Sequence, residues 1–312
     1  MTIFGKLYPF GADSAKFHQA LTTVHRVLTL NEKPQFKATA YQTLGCYYEA
    51  MLGDPVRAFH WYRQLADIAP QVRQVHDDQN HNMRDTARAA ALDMARCYAK
   101  LGLKEDALAT LKAHSYGDWR ELLDLAAIHQ ILKDVKESDA AIARAVAAGR
   151  NDLFAGTSVL GRAIILYCAN GNLEQVKATL PSYRRAYAAL AAREGGEDKL
   201  PKPNLPGQHK RVEAIVASIE RPELDLAKVA DGTYTGQSTG LHGPIEVSVT
   251  VKDGRIREVN VVRAEEFRAF MATRAIPERI VASQSLKVDA VTGATVTSRA
   301  IQEAVRSALT KK

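Results

Sequence analysis

A short residue pattern recurs along the first two thirds of the chain and restricts the folds open to it. A tyrosine is followed four residues later by a glycine at Tyr98 and Gly102 and again at Tyr167 and Gly171, and apolar residues with helical spacing flank each glycine. This spacing predicts two amphipathic helices joined by a turn in which glycine permits a tight reversal. Because one such pair leaves an apolar face exposed, several copies must stack to bury it. We therefore predict an internal repeat of helical hairpins.

Two further copies extend the repeat. The clearest copy lies between Tyr41 and Pro70, and one extra residue before its Gly53 turn predicts a slightly longer first helix. Residues 119–149 fit a degenerate copy. The copies resemble tetratricopeptide repeats over about residues 10–190. The resemblance implies a solenoid with a concave surface for a partner, and a helical bundle is the alternative.

Two polar segments interrupt the helical pattern. Residues 71–85 contain acidic residues around His76 and His81, but these have no defined ligand spacing and lie where a loop between repeats is expected. We predict a loop there, with a metal site as the weaker alternative. Residues 193–207 combine charge with Gly and Pro, as a domain boundary does. A short amphipathic helix at about residues 211–219 is predicted to bridge to the next domain.

Charge and cysteine content exclude several classes of function. The formal net charge is +7, but Lys and Arg are scattered among Asp and Glu, so no nucleic-acid site is predicted. The three cysteines, Cys46, Cys97 and Cys168, are far apart and are predicted to be reduced core thiols. The sequence has neither an apolar run of transmembrane length nor a secretory signal at its start. For the sequence as given, a cytoplasmic location is expected; if a leader sequence is missing from it, an extracytoplasmic location is expected instead.

From Gly232 the apolar spacing changes from helical to alternating. Residues 245–251 alternate apolar and polar side chains, which predicts a half-buried strand. The dipeptide Asp253-Gly254 predicts a tight hairpin turn, and residues 256–262 return as the partner strand. Strict alternation breaks near Arg257-Glu258, which predicts a β-bulge there.

Helices follow these strands. A polar helical stretch is predicted at about residues 277–283, and the last helix carries an apolar stripe over residues 300–309. A hydroxyl of Thr297 or Ser298 is expected to cap the last helix by accepting a bond from a first-turn amide. Strands followed by helices predict a small α+β domain.

A glycine turn rich in hydroxyls lies just ahead of the last helix. Amides at a helix N-terminus point outward and carry partial positive charge, and small residues let a ligand approach the backbone. These features predict a phosphate site, and a turn that only caps the helix is the alternative. The motif is Asp289-Ala290-Val291-Thr292-Gly293-Ala294-Thr295, and Thr297 and Ser298 follow it.

In the context of the strands before it, this motif resembles that of the FMN-binding domain family. The resemblance covers about residues 225–309 and includes Gly-Thr-Tyr-Thr-Gly, Gly-Leu-His-Gly, the valine-rich hairpin and the final threonine motif. It implies that Thr295 carries FMN through a phosphoester, installed from FAD by a separate magnesium-dependent flavin transferase. Many relatives have a Glu-Thr-Pro-Gly turn after the hairpin, but residues 265–270 continue here without it, which leaves the isoalloxazine side of the pocket unassigned.

The resemblance also implies roles for the residues around Thr295. Thr297 and Ser298 match the Thr-Ser that follows the family motif and are expected to help hold the phosphate. No catalytic residue and no metal ligand is predicted. The residues that match the surrounding recognition motif are Asp289, Thr292, Gly293 and Ala294.

The sequence therefore predicts two domains. They are an all-α tetratricopeptide-like solenoid at residues 1–192 and a small α+β FMN-binding domain at residues 225–312, joined by a linker with a short helix at 193–224. The expected function is an electron-transfer flavoprotein whose repeats dock a redox partner protein, with a peripheral link to a membrane redox complex. The alternatives are the flavin-carrying part of a small-molecule reductase and a non-redox interaction scaffold.

Overall fold

The fold consists of many helices followed by a small sheet. A computed structural model describes residues 14–77, 82–149, 152–200, 204–220, 224–240, 243–264, 270–288, 290–291 and 294–310. These residues contain twelve α-helices and two antiparallel sheets. The chain divides into two compact units, one of residues up to Ala58 together with those from Glu220, and the other of Phe59–Ile219. No helix of the described ranges has both the length and the apolar character that a membrane crossing requires.

Ten of these helices precede the second sheet. Their bounds are α1 Ser14–Leu30, α2 Pro34–Cys46, α3 Pro55–Ile68, α4 Thr86–Lys100, α5 Lys104–Lys112, α6 Trp119–Ile131, α7 Val135–Ala148, α8 Leu153–Ala169, α9 Leu173–Glu194 and α10 Asn204–Glu220. Helices α4 and α5, α6 and α7, and α8 and α9 form antiparallel pairs, and α4, α6 and α8 pack side by side. The predicted helical hairpins at these positions are confirmed.

The three hairpin turns share one backbone geometry. Gly102, Lys133 and Gly171 occupy the same place in each turn and have φ angles of 77°, 59° and 74°. The amide after each of them bonds a carbonyl five residues back, which satisfies a carbonyl at the helix end. These bonds join Leu103 N to Tyr98 O at 3.0 Å, Asp134 N to His129 O at 2.9 Å and Asn172 N to Tyr167 O at 2.9 Å.

The Gly53 turn has the same plan with one residue more. Asp54 N bonds Tyr48 O at 2.8 Å, six residues back, and Gly53 has a φ of 62°. Residues Tyr47–Met51 form a π-helical turn after α2. The extra residue is therefore accommodated in one wide, π-helical turn. The sequence had predicted a longer first helix instead.

In the unit Phe59–Ile219, the described residues form one large apolar core and a smaller cluster around Tyr187, Leu190, Leu200 and Leu205. Leu92, Leu123, Ile142 and Ile164 are fully buried in the large core, and they come from four different helices. All three cysteines lie within the described residues and none is in a disulfide; Cys97 and Cys168 are buried. The core is built from one face of each helix, as the helical spacing of the apolar residues predicts.

The segment predicted as a loop at residues 71–85 contains two short strands. Strands β1 Gln74–Asp77 and β2 Asn82–Asp85 pair antiparallel, and Val75 is fully buried. Residues 78–81, which include His81, lie outside the described part of the chain. Within the described ranges no group of three or more His, Cys, Asp or Glu residues is placed to hold a metal ion.

Helix α10 is longer than predicted and belongs to the helical core. It begins at Asn204, so Pro206 lies in its first turn, where the missing amide removes no intrahelical bond. Val212 and Ile215 are buried in the core of the Phe59–Ile219 unit. Of the Pro and Gly residues that suggested a boundary, Pro206 and Gly207 therefore lie in the first turn of α10, Gly195 ends α9, and Pro201 and Pro203 lie outside the described residues.

The C-terminal residues form a three-stranded sheet covered by two helices. Its strands are β3 Gly232–Thr239, β4 Pro244–Lys252 and β5 Arg255–Ala264, in the order β3-β4-β5, and its helices are α11 Phe270–Ser283 and α12 Thr295–Thr310. Helix α11 packs on β5, and α12 packs on β3 and β4. The apolar residues of β4 are fully buried between sheet and helices, namely Ile245, Val247, Val249 and Val251.

Local features of this sheet agree with the sequence. Asp253 and Gly254 both have positive φ angles, 54° and 67°, as a tight two-residue hairpin turn requires. Thr250 pairs with Glu258 and Val251 with Ile256, so Arg257 is an extra residue on β5. The predicted hairpin and bulge are confirmed. The predicted start of α11 is wrong, because the helix begins at Phe270 and carries Pro277 in its interior.

Candidate functional site

The start of helix α12 is where the predicted phosphate site lies. Thr295 is the first residue of this helix of 16 residues. The helix is held against the sheet by its apolar stripe, in which Ile301, Ala304 and Val305 are fully buried. On the sheet side, Gly236 of β3 lies so close to α12 that an added Cβ would be 2.1 Å from Ala304 O. A glycine at this position therefore lets the helix reach the sheet.

The predicted cap of α12 is wrong. Thr297 and Ser298 lie inside the first turn, and both are buried. The amide of Ser298 bonds Ala294 O at 2.9 Å, and its hydroxyl also donates to Ala294 O at 2.8 Å. A serine three residues into a helix faces back along the helix, so its hydroxyl reaches a carbonyl of the preceding turn.

The segment before α12 is held against the first turn of the helix. The amide of Val291 donates to Ser298 Oγ at 3.0 Å. The amide of Ala294 donates to Val291 O at 2.9 Å. One hydroxyl thus makes two hydrogen bonds within the chain, and both fix the segment that leads to Thr295.

A second contact fixes the same segment one turn further along α12. Gln302 is 5% exposed, and its Nε2 donates to Val288 O at 2.8 Å. Its Oε1 accepts from Arg299 Nη1 at 2.9 Å. Gln302 is not among the site residues predicted from the sequence. One feature of the sequence points to Gln302: it is an amide side chain four residues after Ser298, and therefore on the same side of a helix that has a strong apolar stripe.

Thr295 opens a helix, and the N-terminus of a helix is a place where a phosphate group can bind. The first amides of a helix have no carbonyl partner within it, and the helix dipole places partial positive charge there. Ala294, just before the helix, adds little steric bulk. Asp289, Thr292 and Gly293 lie outside the described residues, as does the side chain of Thr295.

The Gly-Leu-His-Gly loop lies at the junction of β3 and β4. Gly240 N donates to Gly243 O at 2.8 Å, which holds the end of β3 next to the start of β4. Leu241 and His242 lie outside the described residues, and so do residues 265–269, which follow β5. The isoalloxazine side of the predicted pocket therefore stays a prediction.

Comparisons with known proteins bear on this part of the chain. Over 85 residues the chain is 38% identical to an uncharacterized protein of Treponema pallidum (strain Nichols), which covers 27% of this chain and 24% of that protein. Over 84 residues it is 32% identical to the NADH:acrylate oxidoreductase of Vibrio harveyi, which covers 26% of this chain and 8% of that protein. The chain thus spans a quarter or less of these curated relatives. No solved structure matches it.

A family model matches the same region. The match covers residues 240–310 and is to the FMN-binding domain. It includes β4, β5, α11, α12 and the whole segment that Ser298 and Gln302 fix. FMN is accordingly the cofactor that the match supports, and the part of the chain that includes residues 240–310 is called the FMN-binding domain below for this similarity.

Proposed function

We propose that the chain is an electron-transfer flavoprotein that carries FMN covalently on Thr295. The observation that carries this proposal is the FMN-binding domain match over residues 240–310, whose motif threonine opens α12. A tethered flavin is retained without a deep pocket, which suits a carrier that presents it to a donor and an acceptor. FMN supplies one- and two-electron transfer when it is bound.

Attachment requires a phosphoryl transfer to the Thr295 hydroxyl. The hydroxyl oxygen forms a bond to the phosphorus of the FMN half of FAD, and the bond from that phosphorus to the AMP oxygen breaks. AMP leaves, and the hydroxyl proton is released. A separate magnesium-dependent flavin transferase catalyses the step, and it recognises Asp289, Thr292, Gly293 and Ala294 around the acceptor.

The residues of α12 have distinct roles in this proposal. Amides of the first turn stabilise the phosphate charge at the positive end of the helix. Thr297, which is 2% exposed, helps to hold the phosphate. Ser298 mainly holds the segment before α12 in place, because its hydroxyl accepts from Val291 N and donates to Ala294 O.

The helical part is proposed to dock a redox partner protein as a tetratricopeptide-like array. Two features support this assignment: the row formed by α4, α6 and α8, and the common geometry of the turns at Gly102, Lys133 and Gly171. Stacked hairpins of this kind offer an extended surface for a partner. A peripheral link to a membrane redox complex is part of the same proposal. The packing of α10 favours a domain boundary near residue 220.

Labelling of the chain in cells tests the attachment. The full chain is co-expressed with a flavin transferase and run on a denaturing gel, where only a covalent flavin leaves a fluorescent band. We expect the wild type to fluoresce and Thr295→Ala to be dark. Thr310→Ala is the matched control, because it removes a hydroxyl from the other end of the same helix and should label normally. A dark wild type, or a fluorescent Thr295→Ala, contradicts the proposal.

A small-molecule reductase is the second candidate. The 32% identity to an NADH:acrylate oxidoreductase over 84 residues favours it. The labelled chain is mixed with NADH and acrylate, and in parallel with artificial electron donor and acceptor dyes. We expect electron transfer between the dyes and no oxidation of NADH by acrylate. Acrylate-dependent NADH oxidation by the labelled chain would favour the reductase.

A further inference from the structure

The segment that enters the FMN-attachment motif is fixed at two points by side chains of α12. Ser298 Oγ accepts from Val291 N at 3.0 Å, and Gln302 Nε2 donates to Val288 O at 2.8 Å. Val288 directly precedes Asp289, the first motif residue, and Val291 directly precedes Thr292. The backbone on either side of Asp289 is therefore tied to the helix that begins with Thr295.

The orientation of the Gln302 amide is itself determined by a neighbour. Arg299 has only donor groups, so its bond to Gln302 requires the amide oxygen to face it. The amide nitrogen is then directed at Val288 O, and the side chain is buried. A buried amide with both ends bonded is rigid, and it satisfies a carbonyl that burial would otherwise leave unpaired.

We propose that Gln302 is a positioning residue for FMN attachment: it holds the motif in the conformation that the flavin transferase binds. The inference rests on the proposed function. It concerns the phosphoryl transfer written above, in which FAD gives FMN to Thr295 and AMP leaves. A motif that is ordered beforehand loses little conformational entropy when the transferase binds it.

The proposal predicts which kinetic constant changes. Without the Gln302 bond, the backbone near Val288 must be ordered during binding, and ordering about one residue weakens binding about tenfold. Once bound, the motif has the same conformation, so the rate of transfer on the transferase is unchanged. We therefore expect the KM for the full-length chain to rise about tenfold in Gln302→Leu and the kcat to stay the same.

Three further variants separate the bond from other effects. Gln302→Glu keeps the size of the side chain and a partner for Arg299 but removes the donor, so it should have the same defect as Gln302→Leu. Gln208→Leu removes a bond of the same type in the helical unit, where buried Gln208 donates to Ser158 O at 2.9 Å. Val249→Ala opens a cavity in the core of the FMN-binding domain at a strand residue that belongs to neither the motif nor α12. The last two should keep the wild-type KM.

A readout without flavin tests the anchoring itself. Lys287 is exposed and directly precedes Val288, so trypsin cleavage there reports whether the segment is released. Mass spectrometry of the unlabelled full chain should show faster cleavage at Lys287 in both Gln302 variants. Gln208→Leu and Val249→Ala should be cleaved there at the wild-type rate.

The outcomes distinguish this inference from the proposed function. A wild-type chain that takes no label contradicts attachment, and the positioning role falls with it. If the wild type labels and Gln302→Leu has an unchanged KM, the positioning role alone is wrong. The same conclusion follows if Val249→Ala raises the KM as much as Gln302→Leu, because loss of domain stability then explains the defect.

Discussion

At the scale of single residues, His129 links the stability of the helical unit to pH. It lies in α6 with 12% of its side chain exposed, and its Nδ1 is 4.0 Å from Asp134 Oδ2. Burial lowers the pKa of His129 below 6.5, although the carboxylates of Asp134 and Glu137 oppose this shift. Nearby Lys104 also lowers the pKa. Burial therefore favours the neutral imidazole of His129 in the folded chain.

The sign of the pH effect follows from this shift. The unfolded chain binds a proton to His129 at a higher pH than the folded chain does. The free energy of unfolding therefore decreases as the pH falls through 6.5. The loss stops once the pH is below the folded pKa, since both states are then protonated. His129→Leu should flatten the decline in the free energy of unfolding between neutral and acidic pH.

Tryptophan fluorescence is suited to this measurement, because Trp61 and Trp119 both lie in the Phe59–Ile219 unit. Urea unfolding is followed at several pH values for the wild type and His129→Leu. His114→Gln, a partly buried histidine of the same unit, is the control. Parallel pH profiles for the wild type and His129→Leu would show that His129 does not contribute.

At the scale of elements, the contact of α12 with β3 depends on Gly236. An added Cβ there would be 2.1 Å from Ala304 O and 2.4 Å from Ala308 N. Both are backbone atoms of a helix, which cannot move aside as a flexible side chain does. The first glycine-rich strand of the FMN-binding region is therefore required for helix packing, and this contact also fixes where the helix presents Thr295.

Gly236→Ala should destabilise the FMN-binding domain by about 3 kcal/mol, because the helix and sheet must separate to admit the methyl group. Hydrogen exchange of β4 peptides in the full-length chain measures the effect, and their protection should fall. Gly117→Ala is the control, since an added Cβ there meets nothing within 4 Å. Unchanged protection of β4 in Gly236→Ala would contradict the role given to this glycine.

At the scale of the whole molecule, the FMN-binding domain has a core of its own. Among the described residues, every buried member of that core lies between Ile245 and Leu309, and the partly buried residues packed on it begin at Leu224. The compact unit that contains this core also includes residues up to Ala58. Whether those residues contribute to folding of the domain is open to a direct test.

We expect a fragment of residues 220–312 to fold and to accept flavin, because it contains every described residue of this apolar core. Cooperative thermal unfolding by circular dichroism measures folding, and gel fluorescence after co-expression with the transferase measures attachment. The full-length chain is the reference for both. A fragment that does not unfold cooperatively would show that residues outside 220–312 are required.

Sequence alone determined the features whose causes are local. Asp253-Gly254 predicts its hairpin because positive φ angles at two adjacent residues suit few residue pairs. The break in alternation at Arg257 predicts its bulge because one inserted residue shifts every later side chain to the other face. The threonine motif predicts an FMN site because the types and order of its residues resemble those of the FMN-binding domain family.

Tertiary structure decided the features that depend on distant partners. The neighbouring sequence favours Ser298 as a helix cap, but α12 begins three residues before it. The hydroxyl of Ser298 instead accepts a hydrogen bond from Val291 N. Gln302 and Val288 are 14 residues apart and meet only when α12 has packed. Pro206, together with its neighbours, predicts an interruption of helical structure. It lies instead in the first turn of a helix whose apolar face is buried in the helical core. Hydrogen bonds to distant residues decide the roles of Ser298 and Gln302, and burial of the apolar helix face decides where α10 forms; the local sequence pattern shows none of these contacts.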